Sequence, residues 1–379
     1  MDKNYLLTPG PTPLPDEVRK ALSKQIIHHR TPQFQEILKE CTQGLKEVFK
    51  TNNDVFILAS SGTGAMEAAV VNLLSKEDSA ICVQAGKFGE RWTEICKAYG
   101  VETLVLDVEW GYAVNPKLIE EKLKANNTIK AVFITLCETS TAAATDVKAI
   151  ATVVKNYQAA LVVDAISGLA AVDLDTDGWG VDVVVVGSQK GFMLPPGLAF
   201  ISMSAKALKL MEQAKLPRYY FDLRQAKKAL AKTDTPFTPA VSLVIALKEA
   251  LAMIKKEGLA NRFVRFSLYA KATREAAKAI GLTIFAQDLS DAVTAINVPA
   301  NIDGEKLVKT MRDTYGVGIA GGQAQLKGKV IRIAHMGYIS AKDTIAAIEC
   351  LEKVLSEMGY KFSVGAGAKA AKAILKDAK

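Results

Sequence analysis

The sequence predicts an α/β fold: a large domain on a mainly parallel, seven-stranded sheet, followed by a smaller C-terminal α+β domain. Three observations carry this. Between residues 55 and 203, short apolar runs alternate with helix-like stretches, as in parallel strands joined by crossover helices. Several runs are apolar on successive residues, the four valines at 183–186 most clearly, which suits strands buried on both faces. After about residue 240 the alternation gives way to long helical patterns.

Taken in order, strands are expected at 55–59, 80–84, 103–107, 131–136, 160–163, 181–186 and 199–203. Between them, helical spacing falls at 64–74, 87–99, 116–124 and 146–156. Two long helices follow at 241–256 and 259–280, then strands at 282–286, 293–297 and 330–334, and a helix at 341–358. The tail from 364 is rich in Ala, Gly and Lys and reads either as a last helix or as a loose end. The expected division is an N-terminal segment 1–20, a large domain 21–240, and a linking helix with the small domain at 241–379.

Composition narrows the function classes. Hydrophobic residues make up 49% and charged residues 23% of the 379, so a packed core is expected. The net charge is +8, but Lys206, Lys209, Lys227, Lys228 and Lys232 are spread along helical segments. That is the pattern of solvated helix faces, not of a nucleic-acid surface with aromatic neighbours. No apolar run approaches the ~18 residues of a membrane helix, and the start does not read as a secretory signal. A cytoplasmic protein with no membrane or nucleic-acid partner is expected. Cys41, Cys82, Cys96, Cys137 and Cys350 form no CxxC pair, and zinc-type spacing is absent, so neither a disulfide framework nor a metal site is expected.

Three loops carry chemistry, each at the carboxyl end of an expected strand, the edge where open parallel sheets bind ligands. The first, Ser60-Ser61-Gly62-Thr63-Gly64-Ala65, runs straight into a helix. Its glycines allow close backbone approach, and a helix start offers free N–H groups to an anion. It lacks the lysine of a nucleotide P-loop, so a phosphate without a nucleotide fits better. The second ends a buried strand with Asp164. A carboxylate there must be paired, and one partner that suits it is a protonated heterocycle. The third, Gly187-Ser188-Gln189-Lys190-Gly191, delivers a lysine from a strand of valines. Desolvation lowers a lysine's pKa and frees its amine to attack an aldehyde. Phosphate cradle, pyridinium partner and amine together are what pyridoxal 5′-phosphate needs.

The pattern resembles the class V aminotransferases, in particular the alanine–glyoxylate and serine–pyruvate branch. The resemblance runs from LTPGPTPLP at 7–15 to VIRIAHMGY at 330–338. It is densest in SSGTGAMEA, ETSTA (138–142), VVDAISG, GSQKGFMLPPG and TPFTPAVSL. It implies the type I fold of pyridoxal-phosphate enzymes, with Lys190 as the lysine that holds the cofactor aldehyde and Asp164 as partner of the pyridine nitrogen. It puts Thr63, Gly64 and Ala65 at the phosphate, with Gln189 and Ser188 beside the lysine. Thr139 lies where a hydroxyl approaches the ring oxygen or the aspartate. Phe88 stands where this branch commonly has a Trp over the ring. Arg332 corresponds to the arginine that grips the substrate α-carboxylate. Thr238 corresponds to a residue that reaches the neighbouring subunit's phosphate, which implies a homodimer on which segment 1–20 packs. His28, His29 and Arg30 match a segment that often lies near the neighbour's site.

The activity the resemblance implies is transamination between a small amino acid, alanine or serine, and glyoxylate or pyruvate. Its rivals are a class V transaminase using aspartate, ureidoglycine or an aminophosphonate, a cysteine desulfurase-like lyase, and a non-catalytic hydrogenase-associated subunit. Phe88 and Gln189 stand where a desulfurase typically has histidines, and the scattered cysteines give no cluster ligands.

Overall fold

A computed structural model describes residues 4–376. The seven strands of its central sheet are β1 (Val55–Leu58), β2 (Ser79–Gln84), β3 (Glu102–Asp107), β4 (Ile129–Thr135), β5 (Ala160–Asp164), β6 (Val183–Gly187) and β7 (Ala199–Met203). Their spatial order is β1-β7-β6-β5-β4-β2-β3. Only β7 runs antiparallel, against β1 and β6; the other pairings are parallel. The carboxyl ends of β1, β2, β4, β5 and β6 therefore share one edge.

Every residue of β5, β6 and β7 is buried. Side chains alternate between faces along a strand. Val184 and Val186 join one apolar layer with α1 (Pro32–Phe49) and α6 (Val241–Glu257). Val183 and Val185 join the opposite layer with α2 (Gly62–Leu73) and α3 (Lys87–Ala98), where the buried Trp92 stacks on Phe133. Two further helices, α4 (Pro116–Ala125) and α5 (Val147–Val154), fall where the spacing puts them. In both an Asn or Asp side chain caps the first turn.

Beyond α6, α7 (Leu259–Ala279) leads to a three-stranded antiparallel sheet. It comprises β8 (Val293–Asn297), β9 (Ala320–Gly321) and β10 (Val330–Ala334), in the order β8-β10-β9. α8 (Ala341–Glu357) starts with a reciprocal Ser340–Asp343 cap. The tail forms α9 (Ala366–Leu375), with Gly367 N–H donating to the buried Glu352 carboxylate at 2.7 Å.

Two expectations fail here. Residues 282–286 are no strand: only an isolated bridge joins Ile284 to Ile296. The chain then turns off, with the N–H of Gln287 donating to Gly111 O instead of extending the ladder. The helix expected from 64 starts at Gly62, because Ser61 already has the extended backbone of a cap residue. Near the N-terminus, Tyr5–Leu6 pairs in parallel with Val317–Gly318, and the N–H of Thr12 donates to Gln189 O. Segment 5–12 thus ties the small sheet to the loop after β6. Among the described residues no helix is long and apolar enough to cross a membrane.

Candidate active site

The loops after β1, β4, β5 and β6 and the start of α3 enclose one cavity, lined by Ser61, Gly62, Thr63, Phe88, Arg91, Cys137, Thr139, Asp164, Ile166, Ser167, Gln189 and Lys190. Three of these loops hold a non-glycine residue at positive φ: Ala142 (63°), Ala170 (63°) and Met193 (58°). Such conformations cost roughly 1–2 kcal/mol each and persist where surrounding packing dictates them.

At the β1 end, Ser61 caps α2 without any side-chain bond, and no acidic residue occupies the first turn. The helix start therefore keeps its partial positive charge for a ligand. Arg91 Nη1 donates to Thr63 Oγ1 at 3.3 Å, and its guanidinium lies over the Phe88 ring, 5.1 Å from the centroid. Gly64 and Ala65 sit further into the helix: the Gly64 N–H is taken by Ser61 O, and Ala65 is wholly buried in the layer below.

Asp164 and Lys190 face each other's charge across the cavity. Asp164 is 3% exposed and, among the described residues, its carboxylate accepts one hydrogen bond, from Ile166 N at 2.8 Å. Burial pushes its carboxyl up to about 7, with the nearby Glu138 adding to the rise. Lys190 is 8% exposed; burial brings its ammonium down to about 8, against the opposing pull of Asp164. Its Nζ donates to Pro9 O and, at 3.3 Å, to Ser167 Oγ. Gly10 passes so close that a Cβ there would fall 2.2 Å from Lys190 Cδ. Gln189 keeps a buried Oε1 with no partner; with the amide turned over, that position presents an N–H donor instead.

Thr139 Oγ1 donates to Ser167 Oγ at 2.5 Å. Next to it, the buried Glu138 accepts from the backbone N–H of Phe88 (3.1 Å) and Gly89 (2.9 Å) and from Ser140. Its carboxylate thus caps α3 and holds the backbone of Phe88 in place. Arg332, on β10, is 5% exposed. It donates Nη1 to Thr139 O at 2.8 Å, and Nε and Nη2 to Gly321 O at 2.9 and 2.7 Å. Three of its N–H groups are committed and two remain for a ligand.

Five expected residues are not in this cavity's lining: Gly64, Ala65, Ser188, Thr238 and Arg332, the last reaching it only through its bond to Thr139 O. The Ser188 hydroxyl bonds Pro195 O and Leu198 N within its own loop. Thr238 is exposed and lines a separate cleft with Tyr220 and Phe237. His28 and His29 pack ring to ring at 4.8 Å, and Arg30 pairs with Asp234 and donates to Thr235 O. Arg91, Ser167 and the capping role of Glu138 escaped the sequence reading. Arg91 follows Phe88 by three residues on one helix, a spacing that puts both on one face. Ser167 follows Asp164 by three in the same turn.

The class V aminotransferase family model matches residues 4–343. The chain belongs to that family. This class V aminotransferase is 44% identical to a protein named soluble hydrogenase, small subunit, of Synechococcus sp. (strain PCC 6716), over 100% of both chains. It is 36% identical to the serine–glyoxylate aminotransferase of Methylorubrum extorquens, covering 99% of this chain and 96% of that one. Its fold matches the crystal structure of ureidoglycine–glyoxylate aminotransferase from Bacillus subtilis with a TM-score of 0.95, at 27% identity, covering 100% and 99%. The fold is type I of the pyridoxal-phosphate enzymes, and the protein is a pyridoxal-phosphate-dependent aminotransferase. The cavity fits that cofactor on its own terms. A buried carboxylate with one donor would suit a ring N–H, an amine of lowered pKa would suit an aldehyde, and an uncapped helix start with Arg91 would suit a phosphate.

Proposed function

We propose that this enzyme transfers the amino group of a small amino acid, alanine or serine, to glyoxylate or pyruvate. The observation that carries the reading is the shared cavity of Asp164 and Lys190, with Arg332 bonded into its Thr139 wall. Glyoxylate stands in the names of the serine–glyoxylate relative and the ureidoglycine–glyoxylate neighbour, which supports a small 2-oxo acid as acceptor.

When bound, pyridoxal phosphate supplies an electron sink for the pair left at the substrate Cα. Asp164 would hold its ring nitrogen protonated; the first turn of α2, Thr63 and Gln189 would hold its phosphate; Phe88 would cover a ring face. Arg332 grips the α-carboxylate with its two uncommitted N–H groups, a planar fork that matches two carboxylate oxygens. Lys190 Nζ removes the Cα proton. Its amine must be neutral to do so, and burial provides that fraction near pH 8.

The same reading gives a cytoplasmic homodimer with domains 21–240 and 241–379, Thr238 serving the neighbouring subunit. The exposed Tyr219 and Tyr220 beside Phe237 support a contact surface there. A desulfurase needs a mobile thiol. All five cysteines are buried, and Cys137 on the cavity wall is pushed up to about 12 by burial.

A panel of donors (alanine, serine, aspartate, ureidoglycine and an aminophosphonate) against glyoxylate, pyruvate and 2-oxoglutarate tests the proposal. The highest kcat/KM is expected for alanine or serine with glyoxylate or pyruvate. A clear win for aspartate would overturn the small-donor assignment.

A further inference from the structure

We infer that Ser167 is a positioning residue for proton transfer: its hydroxyl fixes the direction of the Lys190 amine and links it to Thr139 and Arg332. The inference rests on Lys190 as the base of the proposed reaction.

Ser167 is buried, 6% exposed. Its turn is held by Gly168 N and Leu169 N, both donating to Ala165 O. Gly168 lies so close to Leu136 that a Cβ would fall 2.5 Å from its Cδ2. The hydroxyl is thus placed by the backbone and not by chance rotation of a loop. Ser167 Oγ accepts from Thr139 Oγ1 at 2.5 Å and from Lys190 Nζ at 3.3 Å. Thr139 O in turn accepts from Arg332 Nη1 at 2.8 Å. Thr139 therefore holds both ends: its backbone carbonyl fixes the Arg332 guanidinium and its hydroxyl fixes Ser167, which fixes the base. With two bonds accepted, the Ser167 proton is donated to nothing among the described residues and stays available on the cavity wall.

The charged and titratable groups that act on Lys190 are Asp164 and Cys137, which favour its ammonium form, and Arg332 and Arg91, which oppose it. The Pro9 carbonyl and the Ser167 hydroxyl are the polar atoms that touch Nζ. A hydrogen bond accepted from an ammonium favours the charged form. Loss of the Ser167 hydroxyl thus lowers the amine's proton affinity and frees it to swing toward Pro9 alone.

The test uses Ser167→Ala and Ser167→Thr in the full-length protein, with two readouts. The first is the pH dependence of the rate at which cofactor-free protein captures pyridoxal phosphate, which reads the free amine. The second is the isotope effect on kcat with Cα-deuterated donor. For Ser167→Ala we expect a capture midpoint at lower pH, kcat down by about 10²-fold, KM within about twofold, and a larger isotope effect. Ser167→Thr, which keeps the hydroxyl, restores the capture profile. If Ser167→Ala folds poorly, Thr139→Val removes the donor into Ser167 and should raise the isotope effect in the same direction. Wild-type capture and isotope effect in Ser167→Ala would overturn the inference, as would weaker cofactor affinity with both readouts unmoved. If the wild-type protein captured no aldehyde at Lys190, the base assignment itself would fail.

Discussion

The chain buries charge in two ways. At the edge of the central sheet, Asp164 and Lys190 are desolvated, and burial moves both toward neutrality, to about 7 and about 8. On β10 and α7, Arg332 and Arg262 are buried as deeply but tied to the backbone: Arg332 to Thr139 O and Gly321 O, Arg262 to Ala170 O and Gly191 O. The first pair can change protonation, as chemistry demands; the second keeps a fixed charge and geometry, as binding and packing demand. Arg262 even spans the two loops that carry Asp164 and Lys190, so a structural charge braces the reactive ones.

Substitutions can break this contrast. Asp164→Asn keeps the shape but removes the charge; kcat should fall by roughly 10²–10³-fold with the fold intact. The same variant tests the titration in cofactor-free protein. The folded carboxyl holds its proton up to about pH 7, whereas a solvated one in the unfolded chain releases it near 3.8. Stability should therefore decline as pH rises from about 4 to 7, and thermal melts of Asp164→Asn should lack that decline. Arg332→Lys keeps a charge but loses the fork. KM for the amino donor should rise by about 10–10²-fold, an effect of about 1.5–3 kcal/mol for a charged hydrogen bond, with a smaller change in kcat. Least severe is Glu138→Gln, which weakens the cap that fixes Phe88. A stability loss of about 1 kcal/mol and a modest fall in cofactor affinity are expected from denaturant titration and from cofactor release.

The contrast also explains what could be read from sequence. The strands of the central sheet were legible because burial on both faces leaves unbroken apolar runs, as in VVVV. Asp164 and Lys190 stand out in sequence only together with the loop at 60–65: taken singly, the first reads as well as a helix cap and the second as a surface lysine. β9 was not: two residues, Ala-Gly, carry no alternation, and only their pairing with Arg332 and Ile331 makes them a strand. The expected strand at 282–286 had the right residues and bonds β8 through Thr283 and Phe285, but the next residues, Gln287 and Asp288, donate to Gly111 O and the pairing stops at one bridge. Ser167, Glu138 and Arg91 were hidden because their roles lie in hydrogen bonds across loops far apart in sequence, such as Glu138 to Phe88 and Thr139 to Ser167.

The most direct measurement is chemical. Cofactor-free protein is incubated with pyridoxal phosphate, the adduct is fixed by borohydride reduction, and the labelled peptide is mapped. The label is expected on Lys190 alone, at one per chain. A label on another lysine, or none, would contradict the account of this cavity as the active site.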